Sequence, residues 1–85
     1  MLKEISIKAR TPQELTEYDN FLNEVAQTTH IHPKTVKGIL EPIIADVAIQ
    51  NIGYSHPDNV TLGFHTAKVT VTKTDENRVM VELDF

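Results

Sequence analysis

The chain is 85 residues long and contains no cysteine, which excludes disulfides, thiolate zinc sites and thiol nucleophiles. Hydrophobic residues make up 40% and charged residues 24%, too apolar for a disordered chain and ordinary for one globular domain over residues 1–85. Eight Lys and Arg against twelve Asp and Glu give a net charge of −4, which excludes a partner held by broad cationic attraction.

A domain this small buries roughly 60–65% of the surface of its unfolded chain, so its core is thin and a second subunit would extend it. No apolar run approaches the ~20 residues of a spanning helix. Met1-Leu2-Lys3-Glu4 lacks the charged-then-apolar plan of a signal peptide. The expected location is the cytoplasm, with no membrane contact.

Residues Lys3 to Ala9 alternate, with Ile5, Ile7 and Ala9 on one face and Glu4, Ser6 and Lys8 on the other, the pattern of a half-buried strand. Thr11-Pro12-Gln13-Glu14 then opens a helix. Thr11 suits the N-cap, Pro12 the first helical position, and Glu14 completes a capping box. Leu15, Tyr18, Leu22, Val25, Ala26 and Thr29 follow at spacings of three and four as its apolar stripe.

His32-Pro33 is the next boundary, because a residue before proline is pushed into an extended conformation. Val36, Ile39, Leu40, Ile43, Ile44, Val47 and Ala48 form a second, wider helical stripe. Pro42 interrupts it and clashes with the carbonyl of Gly38. The expectation is one kinked helix from Pro33 to about Asn51, or two helices joined near Glu41.

Ile52 to Asn59 has the turn chemistry of a loop. Three alternating runs come after it: Val60, Leu62 and Phe64; then Ala67, Val69 and Val71; then Val79, Val81, Leu83 and Phe85. Thr74 to Asn77 reads as the hairpin connection between the last two. The order implies an α+β domain: an N-terminal strand, two or three helices, then a small antiparallel sheet.

Glu24 to Leu40 is the most specific stretch. Ala26 lets two helices approach, Ile31 anchors the turn, and Val36 and Ile39 pack the second helix back on the first. This is the plan of a helix-turn-helix, with His30 where glycine is usual. Two packed helices of any small domain give the same pattern. From Val25 to Leu40 there are two lysines, two histidines and no acid. Lys34, Thr35 and Lys37 at the start of the second helix are therefore the candidate contacts to phosphates or bases.

The whole order resembles the HU/IHF-like bacterial DNA-binding proteins. Leu22 to Thr29 followed by Ile31 is similar to their first helix and turn. Val60 to Val69 is similar to their strand and glycine-phenylalanine corner, with Gly63-Phe64 and Thr66 at the matching positions. The resemblance covers about Leu15 to Val71. It implies an intertwined homodimer with a DNA-related, nucleoid-associated role in a bacterium or phage. The long basic β-arms of the family are absent here, its C-terminal helix is missing, and a strand has been added in front. Arm-wrapped binding is thereby excluded.

Two readings follow. The first is a homodimeric DNA-binding protein with contacts from Lys34, Thr35 and Lys37, and further cations at Lys68, Lys73 and Arg78. The second is an acidic dimeric module on the same scaffold that binds a protein partner. No nucleophile–base arrangement is legible, so an enzyme is not expected. His30 and His32, with His56 or His65, could converge on a metal, but turn and capping roles fit their positions better. No cofactor is expected.

Overall fold

The computed structural model describes every residue from Met1 to Phe85. The elements in chain order are β1 (Leu2–Ser6), α1 (Pro12–Thr29), α2 (Pro33–Ala48), β2 (Ser55–Leu62), β3 (His65–Asp75) and β4 (Arg78–Asp84). The strands form one antiparallel sheet in the order β1-β4-β3-β2. The added N-terminal strand thus joins the sheet beside the last one, with Ile5 opposite Val79 and Lys3 opposite Val81. The chain is an α+β domain with a helix pair laid on one face of a four-stranded sheet. Neither helix is long and apolar enough to cross a membrane.

Period two selects the face that meets the helices. Ala67, Val69 and Val71 of β3 and Val79, Val81 and Leu83 of β4 are all buried, while the residues between them are not. Ile5 and Leu62 complete the sheet side of the core. Phe21, Leu22, Val25 and Ala26 of α1, with Val36, Leu40, Ile44 and Val47 of α2, complete the helix side. The expected stripe on α1 omits Phe21, yet it is the largest side chain in the core. It shares the face of Leu22 and Val25, and the stripe drifts past Leu15, which stays 53% exposed.

The start of α1 forms as its sequence dictates. Thr11 is extended, and its Oγ1 accepts the Glu14 amide at 3.1 Å. The Glu14 carboxylate reaches back to the Arg10 amide at 3.0 Å, one residue earlier than a regular capping box, and accepts the Ser6 hydroxyl at 2.7 Å. The Ser6 bond, then the Arg10 amide, hold this carboxyl below the usual carboxylate range.

Of the two alternatives for the second helix the single one is present, ending at Ala48, and the expectation of a long loop before the sheet is corrected. Helix α2 runs unbroken through Pro42. Pro42 and Gly38 both lie on the exposed side, where water can serve the carbonyl that proline leaves without a donor. The expected loop before the sheet is also too long, because β2 begins at Ser55. Residues Ser55 to Asn59 are exposed on both faces, so they show no alternation to read. As an outer strand β2 can hold Pro57, whose missing amide matters only on the paired side.

The two hairpins close more tightly than their sequences suggest. Gly63 and Phe64 connect β2 to β3, with positive φ at Gly63 (66°) and not at Phe64, the pattern of a type II′ turn. Phe64 is therefore no strand residue: it stands at the hairpin tip, wholly exposed. Asp75 pairs with Arg78 around a two-residue turn, and an irregularity between Lys73 and Asp75 absorbs the extra residue of β3.

Candidate nucleic-acid interface

The turn between α1 and α2 is built from its histidines. His30 ends α1 in the left-handed region (φ 58°, ψ 37°), and its amide donates to the Ala26 carbonyl. Histidine tolerates this region better than branched residues, at a cost near 1 kcal/mol. His32 is extended ahead of Pro33, and its Nδ1 accepts the Lys34 amide at 3.0 Å. It thereby takes the place of the usual Ser or Asp cap of α2. His32 is committed to the turn through its ring and His30 through its backbone. No group of three or more His, Asp or Glu side chains is placed to hold a metal ion.

Gly63 fixes this turn to the sheet. A Cβ at Gly63 would lie 2.8 Å from Ile31 Cγ2 and 3.1 Å from the Thr29 carbonyl, so the β2–β3 hairpin rests directly on the turn. The close seat demands glycine on two counts, contact and positive φ. Ile31 is half-buried against the core, and Thr29 is buried with its hydroxyl on the Val25 carbonyl at 2.8 Å. The first turn of α2 is held accordingly.

The six candidate contact residues do not form one surface. Lys34, Thr35 and Lys37 are exposed on the first two turns of α2. Lys34, Lys37, Gly38, Glu41, Pro42 and Ala45 line one shallow depression along that helix. Gly38 is the low point, with nothing within 4 Å of where its Cβ would stand. Lys37 has Glu41 one turn on, at 3.9 Å with both side chains about half exposed, a loose pair of small energetic weight.

Lys68 is exposed but lies between the inward-facing Ala67 and Val69, so it projects from the sheet face opposite the helices. Its cross-strand neighbours are Asn59 and Asp84. A flat partner on α2 cannot reach it.

Lys73 and Arg78 are occupied. Lys73 Nζ donates to the Ala48 carbonyl at 2.7 Å and to the Gln50 carbonyl at 2.8 Å, so β3 supplies the cation that the end of α2 lacks. Arg78 donates to Ser6 Oγ at 2.9 Å and to Glu17 Oε1 at 3.2 Å, and its Nε lies 3.5 Å from Glu4 Oε1. Through Ser6 and Glu14 this network ties β1 and β4 to α1.

The histidine at the hairpin is placed differently. His65 packs edge-on against Phe85, with ring centres 5.9 Å apart, and its Nδ1 is buried without a partner.

The sequence did not point to the groove between the N-terminal half of α1 and the C-terminal half of α2. It encloses about 490 Å³, with Ile5 and Ile7 as its floor and Leu15, Ile44 and Ile49 among its walls. Tyr18 lines it, and its hydroxyl donates to Glu41 at 3.4 Å. Burial, reinforced by the Glu41 charge, pushes that phenol up to about 12. The only sequence signal was the width of the α2 stripe, which exceeds what one face can bury. In comparisons with known proteins, the chain matches no family model, no curated protein and no solved structure.

Proposed function

We propose that this chain is a DNA-binding protein of HU/IHF-like or helix-turn-helix type, acting as a homodimer without catalysis. The first two turns of α2 are its contact surface. The observation that carries this reading is the exposed Lys34–Lys37 step beside the bare backbone of Gly38. A helix-interior glycine costs about 1 kcal/mol against alanine. Its backbone freedom eases Pro42 four residues on, and the open space where a Cβ would stand also admits a closely approaching phosphate backbone. The cations of the surface reduce to Lys34 and Lys37 once Lys73 and Arg78 are assigned to the fold.

Two lysines set the strength of the electrostatic contribution. Each phosphate neutralised adds about 0.9 to the slope of log affinity on log salt, so one chain gives a slope of about −2 and a dimer about −4. Fluorescence anisotropy of a labelled mixed-sequence duplex, titrated at low and moderate salt, measures this directly. The paired substitution K34Q/K37Q should abolish most of the slope. Absence of binding at low salt overturns the reading.

A second reading is supported by the groove between the helices, where Leu15 is 53% and Ile49 is 82% exposed. Apolar walls left open to this degree suit a protein partner. In that case the chain is an interaction module, and duplex DNA at low salt leaves the anisotropy unchanged. Light scattering that returns a clean 9.6 kDa monomer counts against the homodimer in either reading.

A further inference from the structure

Phe64 is the most exposed large apolar side chain of the molecule, at 105% of its reference area. Its ring stacks on no other aromatic group, since the aromatic pairs are Tyr54 with His56 and His65 with Phe85. Both faces of the ring are open. The backbone that carries it is held in place: the II′ turn fixes it, and Gly63 is wedged against Thr29 and Ile31. Nothing in the fold uses the ring, so its position calls for an outside partner.

The charge around it selects the partner. Residues 25–40 contain no Asp or Glu, and neither do residues 59–74, although the chain carries twelve acids. These two runs are the ones that the Gly63 contact brings together. The hairpin tip and the turn beneath it therefore both belong to acid-free runs of an acidic protein. Ile31 of that turn lies three residues before Lys34 along the chain, and Asp84 of β4 lies further down the strand, opposite Lys68. A protein-docking anchor is usually set in a contiguous apolar patch. Here the flanking exposed positions are Gly63, Thr61 and Thr66, small or polar.

We infer that Phe64 stacks on a nucleobase, with the α2 lysines holding the adjoining phosphates. The inference rests on the DNA-binding reading and adds a second, uncharged point of contact to it. An aromatic face recognises any base through its π-surface, whatever the sequence. The same ring meets a single strand by stacking on an open base, or a duplex by wedging into a step that unstacks.

The test uses the full chain with a labelled mixed-sequence single strand and the blunt duplex of the same sequence. Phe64→Ala should weaken binding to one or both roughly 5- to 150-fold, the range found when base-stacking aromatics are truncated, with the salt slope unchanged. On the single strand Phe64→Leu should not restore affinity, because it has no face to stack, and Phe64→Trp should; on the duplex either side chain can wedge. The chain has no native tryptophan, so the emission of that variant reports the site alone, and stacking quenches it. Loss confined to the single strand identifies an open base as the ligand, and loss on the duplex identifies a wedged step. Wild-type affinity in Phe64→Ala overturns the inference while leaving the DNA reading intact. Failure of the unsubstituted chain to bind either DNA overturns both. If Phe64→Ala instead turns a dimer into a monomer, the ring is a subunit contact and the inference falls.

Discussion

Lys73 and Arg78 show how a cation can be misassigned from sequence. Both flank Asp75-Glu76 in the chain, yet neither uses those carboxylates as its partner. Their partners are remote: the Ala48 and Gln50 carbonyls for Lys73, and Glu4, Ser6 and Glu17 for Arg78. Only folding brings those groups within reach. Thr11, His30 and His32 were legible because their partners lie within four residues. The structural role of Lys73 has a measurable signature. Lys73→Met keeps most of the stem and removes the ammonium, so chemical denaturation should show a loss of about 1–2 kcal/mol, the worth of hydrogen bonds from a charged donor. DNA affinity should be unchanged, in contrast to K34Q/K37Q. A drop in affinity at full stability would return Lys73 to the contact surface.

Helix α2 packs on the core with one face, and the proposed function gives its other face to DNA. Its inner face carries Val36, Leu40, Ile44 and Val47 into the core, and its outer face carries Lys34, Lys37 and Gly38. The two demands separate in Gly38→Ala. Open space over Gly38 predicts a gain of about 1 kcal/mol in stability, read from the denaturation midpoint. The added methyl fills the depression between the lysines and should weaken DNA binding. A variant that gains stability and binds as before shows that nothing approaches this face closely. Both helices, β3 and β4 could be read from periodicity, since each has one buried and one exposed face, whereas β1 ends at Ser6 instead of reaching Ala9 and buries Ser6 as well as Ile5. Strand β2 could not, because it overhangs the core along most of its length. Phe64 misled for a related reason: it continues the alternation of Val60 and Leu62, but Gly63 turns the chain first.

At the level of the whole molecule, the helix layer is secured on the sheet from both sides, by the Arg78 network beside β1 and by Lys73 below the end of α2. Between these anchors the groove stays open, and Tyr18 is its titratable witness. The phenol is raised in the folded chain from its ordinary value of 10 to about 12. The folded state therefore holds this proton more tightly than the unfolded one. Its contribution is fully present below pH 10 and is lost as pH rises from 10 towards about 12. Alkaline titration of a Tyr54→Phe variant, followed by phenolate absorbance and far-ultraviolet circular dichroism, should place the Tyr18 transition together with a loss of stability. Ionisation near pH 10 in a fully folded chain would contradict the packing of Tyr18 against Glu41.

The strand order carries a consequence for how the chain is made. Residues Leu2–Ser6 are synthesised before the five other elements, yet their sheet partner is Arg78–Asp84, the last of them. Helix α1 and helix α2 can form and pair during synthesis, being local. Strand β1 must wait, unpaired along both edges, until β4 has emerged. Completion of the sheet is then a single late ring closure, the slow kind of step that long-range β pairing imposes. A nascent chain halted before Arg78 would expose Ile5 and the unfinished core together, and is the species on which aggregation or chaperone capture should fall.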